Sequence, residues 1–533
     1  MKHLKPFSLI AVIFFIFIAC LVFNPGCKHS IKTPDDHVDP GYPDVPLPGY
    51  WPTSGWQSTY PERQGMDSGR LADLLEYIRA QNYPIRSVLV IRKGYLVTEA
   101  YFHPFQEGFW HIIHSCTKSI TSALTGIAID QGFIENEEKK VLDFFPEYNV
   151  ANLDQWKESM ELQHLLMMAS GLNARDSYLY DWEGLHNMEA GSDWTKYVLD
   201  LPMASLPGSS FDYCNGASFL IASILQKTTQ KNGLEFGHEN LFSYLGIPTS
   251  LVDWPMSPRG VAIGFGRMRL RPIDMAKFGF LYLHKGIWDG RQLISEEWID
   301  KSTQRQIAAN TLSDGYGFQW WIDNQGYFMA LGYAGQYIIV NPGENLVVVF
   351  TSALPDSNFS IPESLYHQYI LDAIRSDQAI ADNSQEQARL DNIVRQLANP
   401  TPEPVPTLPE TAAAISGKIF YFETNPYDWH FIGLTFTPGA DEFWLNFSYG
   451  DRNLLLPAGL DNVYRVNFQY SYWRAYKGRW ENNNTFLIEY QVADYSEWGS
   501  LRLSFDENRV TVQFREGQSG AQWEVSANLQ EVH

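Results

Sequence analysis

The clearest alternation of apolar and polar positions flanks a two-residue turn near residue 93. The runs Ser87-Val-Leu-Val-Ile-Arg92 and Tyr95-Leu-Val-Thr-Glu-Ala-Tyr-Phe102 lie on either side of Lys93-Gly94. Apolar runs rich in β-branched residues around such a dipeptide predict two strands joined by a tight hairpin. Three later apolar runs predict further strands, at 316–322, 336–340 and 346–351, with Asn341-Pro-Gly-Glu344 as the turn between the last two.

Helical periodicity fills the region between these two groups of strands. Ile120, Leu124, Ile127 and Ala128 fall on one face of a predicted amphipathic helix that Gly132 terminates. A second apolar helix is predicted over 217–225, and another over 360–374 closes the unit. Strands at both ends with helices between them indicate an α+β domain, in which one antiparallel sheet is flanked by helices and joined by a helical subdomain.

The last part of the chain has a different pattern. Residues 399–409 contain five prolines, which no helix or central strand tolerates, so this stretch is predicted to be a stiff linker. Beyond it, alternating runs at 431–436, 485–490 and 510–514 recur between turn residues. They predict a small all-β C-terminal domain, a barrel or sandwich of about eight short strands. We expect this tail to fold independently and to be dispensable for chemistry.

The N-terminus is predicted to be a targeting signal. Lys2, His3 and Lys5 precede an uncharged apolar run at 7–23, and Cys20 and Cys27 follow small residues, as in a bacterial lipoprotein processing site. Lipid anchoring at either cysteine, a plain cleaved signal and an uncleaved anchor all remain open. Each places the folded protein outside the cytoplasm, in the periplasm or outer envelope. The predicted boundaries are 1–27 for the signal, 28–50 for a linker, 51–385 for the α+β domain, 386–410 for a helix and Pro-rich linker, and 411–533 for the all-β domain.

Charge narrows the range of partners. The chain carries 39 basic and 61 acidic residues, for a formal net charge of −22, and has no basic patch. Phosphate binding needs clustered Lys and Arg, so nucleic acid is excluded as a partner. The sequence leaves the oligomeric state open.

One serine has a lysine three residues further on, in Ser115-Cys-Thr-Lys118. Both residues fall at the start of a predicted helix, and the spacing places them on one face. A helix start offers free N–H groups and a positive dipole end, which suit a nucleophile whose attack creates an oxyanion. The alternative is an N-cap serine followed by a solvated lysine.

Two further motifs accompany this pair. Tyr213-Cys-Asn215 follows a Pro207-Gly208 turn, and residues two apart in an extended loop project to the same side, here into a cleft. The alternative is a buried tyrosine beside a turn asparagine. Gly332-Tyr-Ala-Gly-Gln336 leads into a buried strand, where Gly335 would let the strand edge approach a ligand or would simply form a bulge.

The order Ser-x-x-Lys, Tyr-x-Asn and a glycine-containing strand resembles the serine β-lactamase and penicillin-binding-protein superfamily. The class C β-lactamase-like branch, with its D-alanyl carboxypeptidases, esterases and 6-aminohexanoate-dimer hydrolases, is the most similar. The resemblance extends over about 51–375 and includes further segments at 164–172, 264–279, 316–321 and 341–351.

The resemblance implies acyl transfer by a serine hydrolase. Ser115 would attack a carbonyl, and Lys118 and Tyr213 would share the proton transfers, with the phenolate of Tyr213 favoured by the neighbouring lysine. The N–H groups of Ser115 and Gln336 would form the oxyanion hole, and Asn215 would orient Lys118 and the substrate amide. No metal or cofactor is expected. The sequence contains neither His-Glu-x-x-His nor paired Cys-x-x-Cys, and no Gly-x-Ser-x-Gly elbow of an α/β-hydrolase.

The third motif departs from the family pattern. Relatives that act on β-lactams carry Lys or His and then Thr or Ser where this chain has Tyr333 and Ala334. Without that cation and hydroxyl, binding of a substrate carboxylate is weakened. The sequence therefore predicts hydrolysis of small-molecule esters, amides or peptides. The alternatives are a penicillin-binding, D-alanyl carboxypeptidase or β-lactamase type of protein with slow turnover, and a non-catalytic envelope-binding protein.

Two expectations concern the surroundings of the site. The stretch 175–194 carries Tyr178, Tyr180, Trp182 and Trp194, which form either an aromatic lid over the acyl pocket or an ordinary packed insertion. Cys116 and Cys214 each follow a predicted site residue, so we expect them to lie close together, either bridged or as two buried thiols.

Overall fold

A computed structural model describes residues 42–176, 182–309 and 311–529. The predicted signal at 1–27, and the part of the predicted linker before residue 42, lie outside the described residues. Within those residues, no helix combines the length and apolar character needed to cross a membrane.

Residues 51–398 form an α+β unit, called the sheet domain below. Its helices are α1 (Ser68–Ala80), α2 (Cys116–Asp130), α3 (Gln155–Glu158), α4 (Leu162–Leu166), α5 (Glu183–Ala190), α6 (Trp194–Asp200), α7 (Asn215–Thr229), α8 (Gly233–Gly237), α9 (Pro272–Leu283), α10 (Glu296–Thr303), α11 (Ile361–Leu365) and α12 (Ser384–Ala398). Its strands are β1 (Ile85–Arg92), β2 (Tyr95–Tyr101), β3 (His111–Ile112), β4 (Arg269–Leu270), β5 (Ile287–Trp288), β6 (Arg291–Gln292), β7 (Ile307–Ala308), β8 (Gly315–Tyr316), β9 (Trp321–Ile322), β10 (Phe328–Gly332), β11 (Gln336–Asn341) and β12 (Leu346–Ser352).

The main sheet has eight strands in the order β2-β1-β12-β11-β10-β9-β8-β7, and neighbouring strands are antiparallel. The first and last segments of the domain meet at its centre, where Val90 pairs with Val348. The predicted hairpin forms at Lys93 and Gly94, whose φ values of 50° and 82° have the positive sign that a type I′ turn requires.

Both faces of this sheet are buried, because helices cover each of them. Side chains of α2, α7 and α9 pack with Leu89, Ile338 and Val347 on one face. Side chains of α1 and α12 pack with Val88 and Val348 on the other. This double burial explains why β1 and β12 are nearly continuous apolar runs. The predicted antiparallel sheet flanked by helices is confirmed.

Two helices differ from their predictions. The pattern of α2 indicated one apolar face, but every residue from Cys116 to Ala128 is buried. Ser and Thr side chains such as Ser119 and Thr121 are accommodated because they donate to carbonyl oxygens. The helix predicted to begin the linker at 386 begins at Ser384 and packs against α1, so it belongs to the sheet domain.

The C-terminal domain is a barrel that follows an extended proline-rich segment at 399–409 and a short helix, α13 (Glu410–Ile415). Nine strands close it through a pairing of Gly459 with Lys477, and a tenth, β17, extends one edge as a hairpin. The prediction of about eight strands was therefore slightly low. The strands are β13 (Ile419–Phe422), β14 (Trp429–Phe436), β15 (Glu442–Tyr449), β16 (Arg452–Gly459), β17 (Arg465–Gln469), β18 (Tyr472–Asn482), β19 (Thr485–Val492), β20 (Glu497–Asp506), β21 (Arg509–Glu516) and β22 (Gln522–Leu529).

Candidate active site

Ser115 lies at the N-terminus of α2, directly after a sharp turn. The preceding strand β3 pairs with β4, and the chain then reverses at His114, whose φ of 45° is in the left-handed region. The His114 carbonyl accepts hydrogen bonds from the N–H and the hydroxyl of Thr117, at 3.1 and 2.7 Å, which fixes the turn to the first turn of the helix. The Ser115 hydroxyl does not cap α2, so it is available for other partners.

Lys118 is the buried partner of this hydroxyl. Its Nζ lies 3.1 Å from Ser115 Oγ, 2.7 Å from Asn215 Oδ1 and 2.6 Å from the Phe265 carbonyl oxygen. Burial lowers the pKa of Lys118 to about 7, although the nearby carboxylate of Asp176 favours the ammonium form. A large share of the amine is therefore neutral near pH 7.

The three contacts of Lys118 suit a base. The oxygens of Asn215 and Phe265 can only accept, so they take both N–H groups of a neutral amine. The lone pair is then left facing the Ser115 hydroxyl. A neutral lysine in this arrangement can accept the serine proton without any rearrangement of its neighbours.

Tyr213 lies on the other side of the serine. Its hydroxyl interacts with the Ser115 hydroxyl, its ring stacks on Trp321 at 6.2 Å between centroids, and Lys118 Nζ lies 4.8 Å from the ring centroid. Burial raises the pKa of Tyr213, and the interaction with Ser115 only partly offsets this effect. The expected phenolate is therefore not favoured. Lys118 contacts the ring face, and desolvation of the phenol outweighs the attraction of a partly charged amine.

Asn215 connects Lys118 to Asp176, which the sequence reasoning missed. Its Oδ1 accepts from Lys118, its Nδ2 donates to Asp176 Oδ1 at 3.0 Å, and its backbone N–H donates to Asp176 Oδ2 at 2.6 Å. These bonds fix the orientation of the Asn215 amide. Burial raises the pKa of Asp176, while the hydrogen bonds from Asn215 and the charge of Lys118 oppose that shift. No spacing in the sequence marks Asp176.

The third motif forms the hairpin between β10 and β11, with Gly332 opposite Gln336. Gly335 has a φ of 87°, and its N–H donates to the Gly332 carbonyl. A Cβ at Gly335 would lie 2.7 Å from Leu354, so this glycine serves the turn and its packing on the protein, and not the approach of a ligand.

Gly332 approaches the segment before the nucleophile closely. A Cβ at Gly332 would lie 2.3 Å from the backbone oxygen of Ile113, two residues before the nucleophile. Cys116 Sγ also donates to the Gln336 carbonyl at 3.5 Å. The start of α2 and the first residue of β11 are thus neighbours, as the predicted pair of oxyanion donors, Ser115 N–H and Gln336 N–H, requires.

The remaining predicted residues lie in different surroundings. Tyr333 is 38% exposed, and its ring meets the His114 ring edge-on at 5.4 Å. Trp194 is buried against Phe219 and belongs to the core. Trp182 is partly buried at the start of α5, and Tyr178 and Tyr180 lie outside the described residues.

Cys116 and Cys214 are both buried and are not bridged. Burial raises the pKa of both thiols, so they remain neutral beside Lys118. Cys214 caps α7 by accepting from the Ala217 N–H at 3.2 Å. In the ranges that the structure describes, no group of three or more His, Cys, Asp or Glu side chains is placed to hold a metal ion.

Comparisons with known proteins show several that are similar to this chain. The chain is 22% identical over 335 residues to 6-aminohexanoate-dimer hydrolase of Paenarthrobacter ureafaciens, covering 58% of this chain and 83% of that protein. Two similar solved structures have TM-scores below 0.5. The octameric penicillin-binding protein homologue from Pyrococcus abyssi has a TM-score of 0.45 at 15% identity, over 86% of this chain and 100% of that one. The hydrolase EstCE1, described as having promiscuous acyltransferase activity, has a TM-score of 0.48 at 15% identity, over 58% of this chain and 99% of that one.

The Beta-lactamase family model matches residues 63–368, which is more than half of the 533 residues. The matched region contains Ser115, Lys118 and Tyr213 and the hairpin that ends at Gln336. The chain belongs to the Beta-lactamase family.

Proposed function

We propose that this β-lactamase-family hydrolase cleaves ester or amide bonds through an acyl-enzyme on Ser115. The observation that carries the proposal is the 3.1 Å contact between Ser115 Oγ and the buried Nζ of Lys118. A serine hydroxyl is a weak nucleophile unless a base lies within hydrogen-bond reach. Lys118 meets that requirement, and its lowered pKa supplies the neutral form near pH 7.

In the proposed acylation, Lys118 accepts the Ser115 proton as Oγ attacks the substrate carbonyl carbon. The carbonyl oxygen becomes an oxyanion and accepts hydrogen bonds from the N–H groups of Ser115 and Gln336. Loss of one such donor typically lowers the rate by about 10²–10³. The dipole of α2 adds to this stabilisation, since its positive end lies at Ser115.

Tyr213 supplies the second proton transfer in this scheme. Because its pKa is raised, it is protonated at neutral pH, and its interaction with Ser115 supports a position beside the leaving group. It donates a proton to the departing alkoxide or amine and becomes a transient phenolate. In deacylation this phenolate accepts a proton from the attacking water, and Lys118 returns its proton to Ser115 Oγ as the acid is released.

The walls of the site favour an uncharged, partly apolar substrate. Tyr213, Phe211 and Trp321 form an aromatic cluster on one side, with centroid distances of 5.7 and 6.2 Å to Trp321. Tyr333 stands where relatives active on β-lactams place a cation. Esters and linear amides need no anchored carboxylate, so they lose less from this replacement than cephalosporins do.

Turnover of matched chromogenic substrates tests the proposal. We expect p-nitrophenyl butyrate to be hydrolysed with a much higher kcat/KM than nitrocefin. Ser115→Ala should abolish both activities, whereas Ser243→Ala, at an exposed serine, should leave them unchanged. Equal kcat/KM values for the two substrates would contradict the proposed substrate class, and full activity of Ser115→Ala would contradict the mechanism.

We also propose that the protein acts outside the cytoplasm. The support is the sequence of the first 27 residues, with Cys20 and Cys27 as candidate lipidation positions. Fractionation of cells expressing the wild type, Cys20→Ser and Cys27→Ser tests this. Loss of membrane association in one variant would identify the anchor, and a wholly cytoplasmic wild type would refute export.

A further inference from the structure

The turn at 493–496 between β19 and β20 of the barrel reaches the residues beside the nucleophile. Ser496 in this turn is buried, and its Oγ lies 3.0 Å from His114 Nε2 and 3.4 Å from Gln336 Nε2. His114 directly precedes Ser115, and Gln336 carries the second proposed oxyanion donor. A single hydroxyl of the C-terminal domain thus contacts both sides of the proposed oxyanion hole.

The direction of these hydrogen bonds follows from the other partners of Gln336. Its Oε1 accepts from the Ser352 N–H, and its Nε2 donates to the carbonyl oxygens of Ser352 and Tyr333. The Gln336 nitrogen cannot accept a hydrogen bond, so in its longer, shared contact with Ser496 the serine oxygen is the acceptor. The Ser496 hydroxyl then has its own proton free to donate to His114.

His114 is able to accept that proton. Burial, together with the nearby charge of Arg267, lowers the pKa of His114 to about 3, so its ring is neutral at neutral pH. A neutral imidazole has one nitrogen that accepts and one that donates. With Nε2 accepting from Ser496, every group in this network has a compatible role.

The backbone of His114 gives this contact its importance. A non-glycine residue with a φ of 45° is in a sparsely populated region and persists only where its surroundings fix it. The Thr117 bonds hold its carbonyl group, while Ser496 and the edge-on ring of Tyr333 hold its side chain. A change in this turn would move Ser115, the next residue.

The turn that carries Ser496 is itself fixed to the sheet domain. Arg86 of β1 is buried, and its guanidinium donates to the carbonyl oxygens of Ala493, Tyr495 and Glu497. Such a set of bonds to backbone oxygens holds the turn in one conformation without depending on its side chains.

Two further contacts hold the barrel in place. Trp498 Nε1, two residues after Ser496, donates to the Ala353 carbonyl at 2.9 Å. Phe109 of the sheet domain stacks on Trp473 of β18, with 4.4 Å between centroids. The barrel is therefore docked on the sheet domain next to the nucleophile.

We propose that the C-terminal barrel is a structural part of the active site and that Ser496 is a positioning residue for Ser115 and for the oxyanion strand. The inference rests on the proposed function for its kinetic consequences. Ser496 touches neither substrate nor the reacting atoms. It acts through His114 and Gln336, and it makes activity depend on the docked barrel.

The kinetic test compares Ser496→Ala with Ser496→Thr, which keeps the hydroxyl, and with Ser504→Ala, at an exposed serine on β20, the strand that follows the turn. Loss of one positioning hydrogen bond predicts a kcat about tenfold lower for Ser496→Ala, with KM and the melting temperature nearly unchanged. Ser504→Ala should match the wild type, and Ser496→Thr should recover part of the loss. A wild-type kcat for Ser496→Ala would overturn the proposal.

A double-mutant cycle separates positioning from a general effect on folding. His114→Asn keeps a residue type that tolerates the left-handed region but removes the ring nitrogen that accepts from Ser496. If Ser496 acts through His114, the two substitutions together should lower kcat by less than the product of their separate effects. Fully multiplicative effects would contradict the proposed route.

Hydrogen exchange gives a readout that does not depend on turnover. In Ser496→Ala, peptides covering 108–118 and 330–338 should exchange faster than in the wild type or in Ser504→Ala. Unchanged exchange in both peptides would overturn the positioning role whatever the activity of the protein. Absence of ester turnover together with faster exchange would instead refute the proposed function and leave the positioning role supported.

Discussion

Asn215 accepts a 2.7 Å hydrogen bond from Lys118 and is itself held by a buried carboxylate on its far side. The amide of Asn215 thereby keeps its oxygen towards Lys118, and the charge behind it favours the ammonium form. Two opposing effects thus set the pKa of Lys118: burial lowers it, and the negative charge of Asp176 raises it.

This balance predicts the pH dependence of the reaction. The pKa of Lys118 is lowered to about 7, so its neutral, active form accumulates as the pH rises through 7. We expect kcat/KM to rise from pH 5.5 to 8.5 with an inflection near 7. The other groups around Lys118 do not supply this inflection, because burial raises the pKa values of Tyr213, Cys116 and Cys214.

The same profile recorded for lysine variants checks the assignment. Lys118→Met removes the base, and Lys118→Arg introduces a guanidinium that stays protonated at every accessible pH. Both should be nearly inactive between pH 5.5 and 8.5. An unchanged inflection near pH 7 in either variant would show that another group titrates.

Asp176→Asn should shift the inflection in a defined direction. The substitution removes the negative charge that raises the pKa of Lys118, so the rising limb of kcat/KM should move to lower pH. Both carboxylate oxygens of Asp176 accept hydrogen bonds from Asn215, and the substitution replaces one of them with an amino group that cannot accept. We therefore expect kcat/KM above the inflection to fall about tenfold. Asp289→Asn, at an exposed position, provides the control. A shift of the limb to higher pH would contradict the proposed coupling.

Gly332→Ala should destabilise the protein and lower its activity. The added Cβ would lie 2.3 Å from the Ile113 carbonyl oxygen, so β10 and the segment before Ser115 must separate. Overpacking of this kind costs about 1–3 kcal/mol, and here it also displaces the nucleophile. Urea denaturation and kcat on an ester substrate measure the two effects. Gly49→Ala, whose Cβ would meet nothing within 4 Å, should change neither.

Arg86→Met should weaken the docking of the barrel. The variant leaves the carbonyl oxygens of Ala493, Tyr495 and Glu497 without this donor, and we expect a loss of about 3 kcal/mol in the free energy of unfolding. Arg79→Met, at an exposed arginine on the same side of the sheet domain, is the matched control. Equal unfolding curves for the two variants would contradict the importance of this anchor.

Local patterns were sufficient for a large part of the fold. The Lys93-Gly94 hairpin depends on two adjacent residues that both have a positive φ, and Ser115 and Lys118 lie one helical turn apart. Both features are encoded over a few residues, so sequence reasoning identified them. The order of the apolar runs likewise predicted the antiparallel sheet.

Other features depend on contacts between distant segments. Asp176 is 39 residues from Asn215, and Ser496 is 382 residues from His114, so no spacing reveals either pair. The raised pKa of Tyr213 results from burial, which only the packed structure determines. The close packing of Gly332 against Ile113 was missed for the same reason, since the nearest atoms belong to another element.

The most direct test of the account is trapping of the covalent intermediate on Ser115. Intact-mass and peptide mass spectrometry after reaction with a fluorophosphonate should show one adduct on wild type, located in the peptide containing Ser115, and none on Ser115→Ala. Labelling should be slower at pH 6 than at pH 8, because less Lys118 is neutral. An equal adduct on Ser115→Ala, or an adduct confined to another residue, would contradict the central claim.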